Sequence, residues 1–378
     1  MILPPATIGI VGGGQLARMM ILEGRKMGYR FWIVDPDPNC CAACVSDHHI
    51  IGSWSDQEAL MTLAKASEVV TVDTEHVPWA LIDRVTPFTK THPNAQTMKC
   101  IQDRLVQRQF LEKHGLPQTK YRDVTSVDDI NAAHLAWGFP LVLKTRTDGY
   151  DGKGQIMIKH EAAIAQAWRS MQDQPCVVEA FVDFQAEVSV LLARSKQDDQ
   201  INTKTYPLAR NEHQDHILHQ TFVPSGFPKA IEEMCFEIAT QVSHALDDAG
   251  MLAVEMFVTR SGDVLINEIA PRPHNSGHFT YGGCVTSQFE QHIRAITGQP
   301  LADPSLIKPC GMLNLVGDKI DTSLIKKVMM LPNATLHLYD KTPPKPGRKM
   351  GHVLMCGPLD KDINQVMSDL TRFLHEEK

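Results

Sequence analysis

The stretch LVLKTRTDGYDGKGQ, residues 141–155, decides how the rest of the chain is read. Leu141 to Arg146 is short and apolar, carries Lys144 near its end, and reads as a buried strand. It runs into Gly149-Tyr150-Asp151-Gly152-Lys153-Gly154-Gln155, whose three glycines make a backbone able to fold over a nucleoside triphosphate. Lys144 and Lys153 would be point charges for phosphate oxygens, and loop amides would add donors. Asp-Gly is also a common hairpin dipeptide, so a plain surface hairpin competes. The lysine inside the preceding strand favours phosphate.

Upstream, Ala6 to Val11 reads as a strand, Gly12-Gly13-Gly14 as a turn and Gln15 to Lys26 as a helix. A strand Arg30 to Val34 ends at Asp35-Pro36, and a helix Asp56 to Ala66 precedes an apolar run Val69 to Val72. This alternation predicts a parallel sheet covered by helices, closing near Thr97. Gly12-x-Gly14-x-x-Ala17 with Asp35 fits the dinucleotide fingerprint. The same turn packs a helix on a sheet in proteins that bind no dinucleotide, and that reading is preferred here. A helix Gln102 to His114 then ends at Gly115 and Pro117.

Downstream, a helix Glu161 to Met171 is followed by strands Cys176 to Phe181 and Glu187 to Ala193. A long helix Pro228 to Ala249 precedes strands Leu252 to Val258 and Val264 to Ile269. A turn at Arg260 to Asp263 would bring Glu255 opposite Asn267-Glu268, an oxygen cluster suited to Mg²⁺ shared with phosphates; exposed hairpin charge is the alternative for either glutamate alone. The next residues, Ala270-Pro271-Arg272-Pro273-His274-Asn275-Ser276-Gly277-His278, make poor helix and poor strand. So dense a loop reads as an anion or transition-state site. After Gly298-Gln299-Pro300, short strands near Met312 to Val316, Ala334 to Tyr339 and His352 to Met355 lead to a terminal amphipathic helix. Lys341 and the basic stretch Lys345 to His352 suit either a phosphate monoester or a solvated loop. His213 alone reads as a structural histidine.

The 378 residues suggest about two or three domains. With 43% hydrophobic and 21% charged residues, long disorder and fibrous repeats are excluded. A formal charge of -7 without a long basic run argues against nucleic acid as a partner. The start of the chain resembles no signal peptide and no segment reaches membrane-spanning length, so a cytoplasmic protein is expected. Nine scattered cysteines point to reduced thiols, and Cys41 and Cys44, a single C-x-x-C, lack the second pair a zinc site needs.

In order, GGGQLARM (12–19), GYDGKGQ (149–155), EIAPRPHNSGH (268–278) and GRKMGH (347–352) resemble the ATP-grasp superfamily. Within it, the resemblance is to the 5-(carboxyamino)imidazole ribonucleotide synthases of purine biosynthesis. It runs nearly end to end and implies a multidomain α/β and α+β protein. A Rossmann-like pre-ATP-grasp domain would occupy 1–98, the ATP-grasp domain 99–299 and a small β-rich domain 300–378. By position, the resemblance implies that Arg104, Lys144, Lys153 and the loop Gly149 to Gln155 (Tyr150, Asp151, Gly152 and Gly154 within it) bind ATP phosphates. Glu179, Ala180, Phe181 and Val182 would form the adenine hinge, Glu187 would hold ribose, and His213, Asn267 and Glu268 would line the nucleotide site. Glu255 and Glu268 would carry Mg²⁺ (or Mn²⁺). Gly14, Gln15, Leu16, Tyr150, Asp151, Lys341, Arg348 and Lys349 would hold aminoimidazole ribonucleotide, and Glu75, Arg272, His274, Asn275 and Ser276 would surround bicarbonate. Arg272 and Lys341 would neutralise charge during catalysis, Asp151 would orient the amine or take its proton, and a homodimer is expected. The chain departs from the family pattern at Asp73 and Lys345, where glutamate and arginine are common. Another ATP-grasp ligase with a different acceptor, or a non-catalytic ATP-controlled binding protein, remain the alternatives.

Overall fold

The computed structural model describes residues 1–147, 149, 154–197, 200–317, 320–357 and 362–375. The first sheet uses β1 (Thr7–Val11), β2 (Arg30–Asp35), β3 (His48–Ile51), β4 (Val69–Val72) and β5 (Lys90–Thr91), all parallel, in the order β3-β2-β1-β4-β5. Its central strands are nearly all apolar because helices cover both faces. Ile8, Ile10 and Ile33 pack with Met19 and Met20 of helix Gln15–Lys26, and Val70 and Val72 pack with Leu60 and Leu63 of helix Gln57–Lys65. The first cluster also contains Phe289 and Ile293 of helix Gln288–Ile296, so this unit is joined to the middle of the chain by shared core.

A small antiparallel sheet follows: β6 (Tyr121–Val124), β7 (Leu141–Thr145), β8 (Gln155–Ile158) and β9 (Cys176–Ala180), in the order β6-β9-β7-β8. Helices Val127–Trp137 and Ile164–Ser170 bury Ile130, Ala133 and Trp168 against it. The third sheet is larger and antiparallel. It contains β10 (Phe184–Gln197), β11 (Gln200–Thr205), β12 (Ala209–Gln214), β13 (Ile217–Val223), β14 (Gly250–Thr259), β15 (Val264–Ala270), β16 (Cys310–Val316), β17 (Ala334–Leu338) and β18 (Lys349–Cys356). The path is β15-β14-β10-β12-β13-β16-β18-β17, with β11 on β10. The strands after residue 300 therefore extend the same sheet through the β13–β16 pairing. Helix Lys229–Leu246 covers one end of this sheet and helix Ile363–His375 the other.

The expected helix Gln102 to His114 forms as Arg104–Lys113, and a separate helix, Ala95–Gln102, ends just before it at Asp103. The Asp103 carboxylate caps Leu105 N and Val106 N and is clasped by Arg146, so the chain restarts there. No described helix is long and apolar enough to cross a membrane, and all nine cysteines are free thiols.

His292 binds the layers together. Its Nδ1 accepts from Met251 N (3.0 Å), so Nε2 donates to Thr71 Oγ1 (2.8 Å) on the parallel sheet. Burial, with His92 nearby, pushes His292 down to about 3. An unfolded histidine titrates near 6.5. Between those values only the unfolded chain takes the proton, so the contribution is complete above about pH 6.5 and is lost as pH falls toward 3. Urea unfolding from pH 7.5 to 5 is expected to show falling stability, and His292→Leu to be less stable at pH 7.5 with a shallower decline.

Candidate active site

The carboxyl ends of β1, β2 and β4 open together where the strand order reverses between β1 and β4, the usual ligand position of open α/β sheets. Gly12 is required there by its φ of +102°, and a Cβ on Gly14 would meet Asp73 Oδ2 at 2.3 Å. The closeness has a cause: Asp73 Oδ2 accepts from Gly14 N and Oδ1 from Ala17 N, both at 2.8 Å. Asp35 Oδ2 accepts from Gly13 N at 2.8 Å and from Trp54 Nε1 at 3.3 Å. The amides that a dinucleotide pyrophosphate would need are engaged by the protein's own carboxylates, in accord with the packing reading of the glycine turn. Asp73, one methylene shorter than the glutamate common in the family, caps this helix. Asp73→Asn leaves one amide facing an NH₂ group and is expected to cost about 1–2 kcal/mol in urea unfolding.

Glu255 and Glu268 are directly opposed on β14 and β15, with a bulge beside Glu255, and the turn at Arg260 to Asp263 closes as expected. Burial, then the carboxylates of Glu268 and Glu187, push Glu255 up to about 8. Glu187 is itself pushed up to about 7 by burial, and its Oε2 lies 3.1 Å from His213 Nδ1. Among the described residues no three His, Cys, Asp or Glu side chains form a complete metal cage. A crowded pair of hard carboxylates beside the Asn267 amide nevertheless fits a divalent cation that takes its remaining ligands from phosphates.

Arg272 Nη2 donates to Glu75 at 2.8 Å and Nη1 to Pro273 O at 2.9 Å. His274 Nε2 is 3.6 Å from Glu255 Oε1. Burial, then Arg272 and Lys349, hold His274 well below the ordinary histidine range, so it is neutral. Asn275 is buried, yet its Oδ1 and Nδ2 have no hydrogen-bond partner among the described residues. Ser276, expected beside bicarbonate, is fully buried, with its hydroxyl bonded to Ser189 and His274 instead.

At the nucleotide end Lys144 Nζ reaches Glu179 Oε2 at 2.6 Å, and Arg108 Nε reaches Oε1 at 2.7 Å. Burial opposes the Glu179 charge, but Arg108, Lys144 and Arg104 overcome it and hold the carboxyl well below its usual range. Glu179 is therefore tied internally, and Ala180 has its amide on Lys120 O and its carbonyl on Thr119 Oγ1. Phe181 and Val182, the other two residues expected at the hinge, line the cavity. Arg104 Nη2 is 3.9 Å from Glu268 Oε2. Tyr150, Asp151, Gly152 and Lys153 lie outside the described residues; Gly149, Gly154 and Gln155 line the cavity.

At the opposite end Lys341 Nζ donates to Gln15 Oε1 at 2.7 Å, and burial pushes this lysine down. Arg348 Nη1 donates to Pro343 O at 3.0 Å, which shapes the basic loop. Arg348 and Lys349 face the cavity; Lys345 is exposed and does not, so its departure from the family arginine lies away from the site. One continuous chamber of about 1060 Å³ joins Phe181 and Val182, Glu255 and Asn267, Arg272 to Asn275, and Gln15 with Lys341. Arg108, Ser189 and Asn211 were missed in the sequence. Each lies on an element without a motif and meets its partners only through long-range folding.

Two antiparallel sheets around a chamber, with Lys144, Gly149 and Gly154 on one side and the paired carboxylates Glu255 and Glu268 on the other, define an ATP-grasp ligase. The ATP-grasp domain model matches residues 109–289, a ribonucleotide synthetase preATP-grasp domain 5–102, and a phosphoribosylaminoimidazole carboxylase C-terminal domain 310–366. A Bacillus subtilis (strain 168) N5-carboxyaminoimidazole ribonucleotide synthase is 38% identical over 367 residues, spanning 97% of this chain and 95% of its own. A crystal structure of an ADP complex of N5-carboxyaminoimidazole ribonucleotide synthetase matches with TM-score 0.94 and 39% identity over 99% of this chain and 97% of that one. The Aspergillus clavatus enzyme in complex with ADP and 5-aminoimidazole ribonucleotide matches with TM-score 0.89 and 30% identity over 98% of each chain. The chain belongs to the N5-carboxyaminoimidazole ribonucleotide synthase family.

Proposed function

We propose that this chain uses ATP to carboxylate the exocyclic amine of 5-aminoimidazole ribonucleotide with bicarbonate, a step of purine biosynthesis. The observation that carries the reading is the order of groups along one chamber. Contacts link its parts in turn: Arg104 approaches Glu268, Glu255 faces Glu268 and approaches His274, and Arg272 pairs with Glu75 and, like Lys341, lies near Asp73. Bicarbonate held by Arg272, His274 and the unpartnered Asn275 amide lies in reach of both other substrates. An oxygen of bicarbonate attacks the γ-phosphorus in line, ADP leaves, and carboxyphosphate forms. Its breakdown gives phosphate and carbon dioxide, and the amine adds to the carbon and loses a proton.

Lys144 and Arg104 bind and neutralise the phosphates, and carboxyphosphate requires that water be kept from it. Arg272 and Lys341 balance the charge of the carboxylated product, while the ribonucleotide phosphate is taken by Arg348 and Lys349, beside Gln15 and Leu16. Asp151 is the proposed proton acceptor. Glu255, Glu268 and Asn267 would hold magnesium, with manganese a chemical equivalent, which would neutralise phosphate charge. A homodimer is the proposed assembly, to be checked by sedimentation.

ADP release should require bicarbonate and rise strongly when aminoimidazole ribonucleotide is added. Release without stimulation by the ribonucleotide would assign another acceptor, and ATP binding without any release would leave a nucleotide-controlled binding protein.

A further inference from the structure

Beneath the Arg272 to His278 loop runs a row of buried polar side chains that no substrate contact explains. Thr221 Oγ1 donates to Asn211 Oδ1 at 3.0 Å, Asn211 Nδ2 to Ser189 Oγ at 3.0 Å, and Ser189 Oγ to Ser276 Oγ at 2.8 Å. Ser276 Oγ lies 2.9 Å from His274 Nδ1. The row crosses β10, β12 and β13, and Thr221, Ser189 and Ser276 have no exposed surface. Hydroxyls can point either way, but the His274 end is set by the backbone. Ser276 N–H points at His274 Nδ1 from 3.3 Å, which demands a lone pair on that nitrogen. The Ser276 hydroxyl, already accepting from Ser189, gives its own proton to the same lone pair. The imidazole proton is therefore on Nε2, the nitrogen on the Glu255 side. At 3.6 Å from Glu255 Oε1 it makes no hydrogen bond there.

We propose that Asn211, Ser189 and Ser276 are positioning residues that lock His274 as the Nε2–H tautomer. In that form it donates one hydrogen bond to the bicarbonate-derived anion and does not serve as a base. The row works as a unit, because deleting one hydroxyl leaves the next buried partner unsatisfied. A neutral, prealigned donor stabilises charge growing on the anion without removing a proton from it.

The identity of the anion rests on the function proposed above; the tautomer does not, and the test separates them. The full chain labelled with [¹⁵N]histidine reports which ring nitrogen carries the proton, with His274 assigned by subtraction of the His274→Gln spectrum. The expected result is an unprotonated Nδ1 in the wild type, and mixed tautomers in Ser189→Ala and Ser276→Ala. Those variants should raise the KM for bicarbonate about tenfold while the KM for ATP moves less than twofold. A protonated Nδ1 in the wild type overturns the proposal, as do variants that keep both the tautomer and the bicarbonate KM. If the wild type never releases ADP with bicarbonate, the function falls, and the ¹⁵N signal still decides how His274 is held.

Discussion

Glu255→Gln is expected to stabilise the ligand-free protein by about 2 kcal/mol while lowering ADP release about 10³-fold. The two effects share one cause. Burial and the neighbouring carboxylates of Glu268 and Glu187 raise Glu255 to about 8, against an unfolded value near 4.5. Between those values only the folded chain holds the proton, so this group's contribution to stability falls as pH rises from about 4.5 to 8. A glutamine keeps the shape and removes that penalty. It also removes a hard anionic oxygen from the proposed cation site, where losing several kcal/mol of charge stabilisation is expected. Urea unfolding and an ADP assay on the same preparation check both halves. A variant that is less stable than the parent, or equally active, contradicts the account.

Arg108→Met is expected to cost about 3–5 kcal/mol of stability, the range for breaking one side of a buried ion pair. The guanidinium has almost no exposed surface and joins three places: Glu179 on β9 through Nε, Ile266 O through Nη1 and Asn267 O through Nη2, the last two at 3.0 Å. Without it, the two carbonyls of β15 lose their donor and Glu179 keeps only Lys144. The wall carrying Lys144 and the strand carrying Glu268 are then no longer tied together. The KM for ATP should rise with the loss of stability, whereas Glu179→Gln with Arg108 intact should be milder, because a glutamine oxygen still accepts from the arginine. An Arg108→Met protein with parental stability and ATP affinity would show that the tie is dispensable.

What could be read from the sequence followed local rules. The Lys144 strand, the glycine turn after β1 and the β14–β15 hairpin all have turn residues and apolar runs at short range. Each lies where expected among the described residues. The terminal helix, Ile363–His375, showed its apolar stripe in the same way. What could not be read depended on partners far away in sequence. Strand β12, Ala-Arg-Asn-Glu-His-Gln, lacks apolar alternation because His213 faces the chamber and Asn211 belongs to the buried polar row, so its strand character comes from β10 and β13. Arg108 meets groups 71 and more residues away. Asp73 could be noticed only as an odd carboxylate; that it caps a helix 56 residues upstream required the fold. Ser276 sat in a motif dense with functional groups, and only its hydrogen bonds to Ser189 and His274 show that it turns away from the chamber.

The most direct measurement uses [¹⁸O]bicarbonate with Mg-ATP and aminoimidazole ribonucleotide, followed by mass analysis of the inorganic phosphate. If bicarbonate attacks the γ-phosphorus, one of its oxygens is the bridge of carboxyphosphate and leaves with the phosphate. The account predicts one ¹⁸O per phosphate released, in step with ADP and with ribonucleotide-dependent turnover. ADP formed together with unlabelled phosphate would mean that water is the nucleophile, and would contradict the proposed reaction.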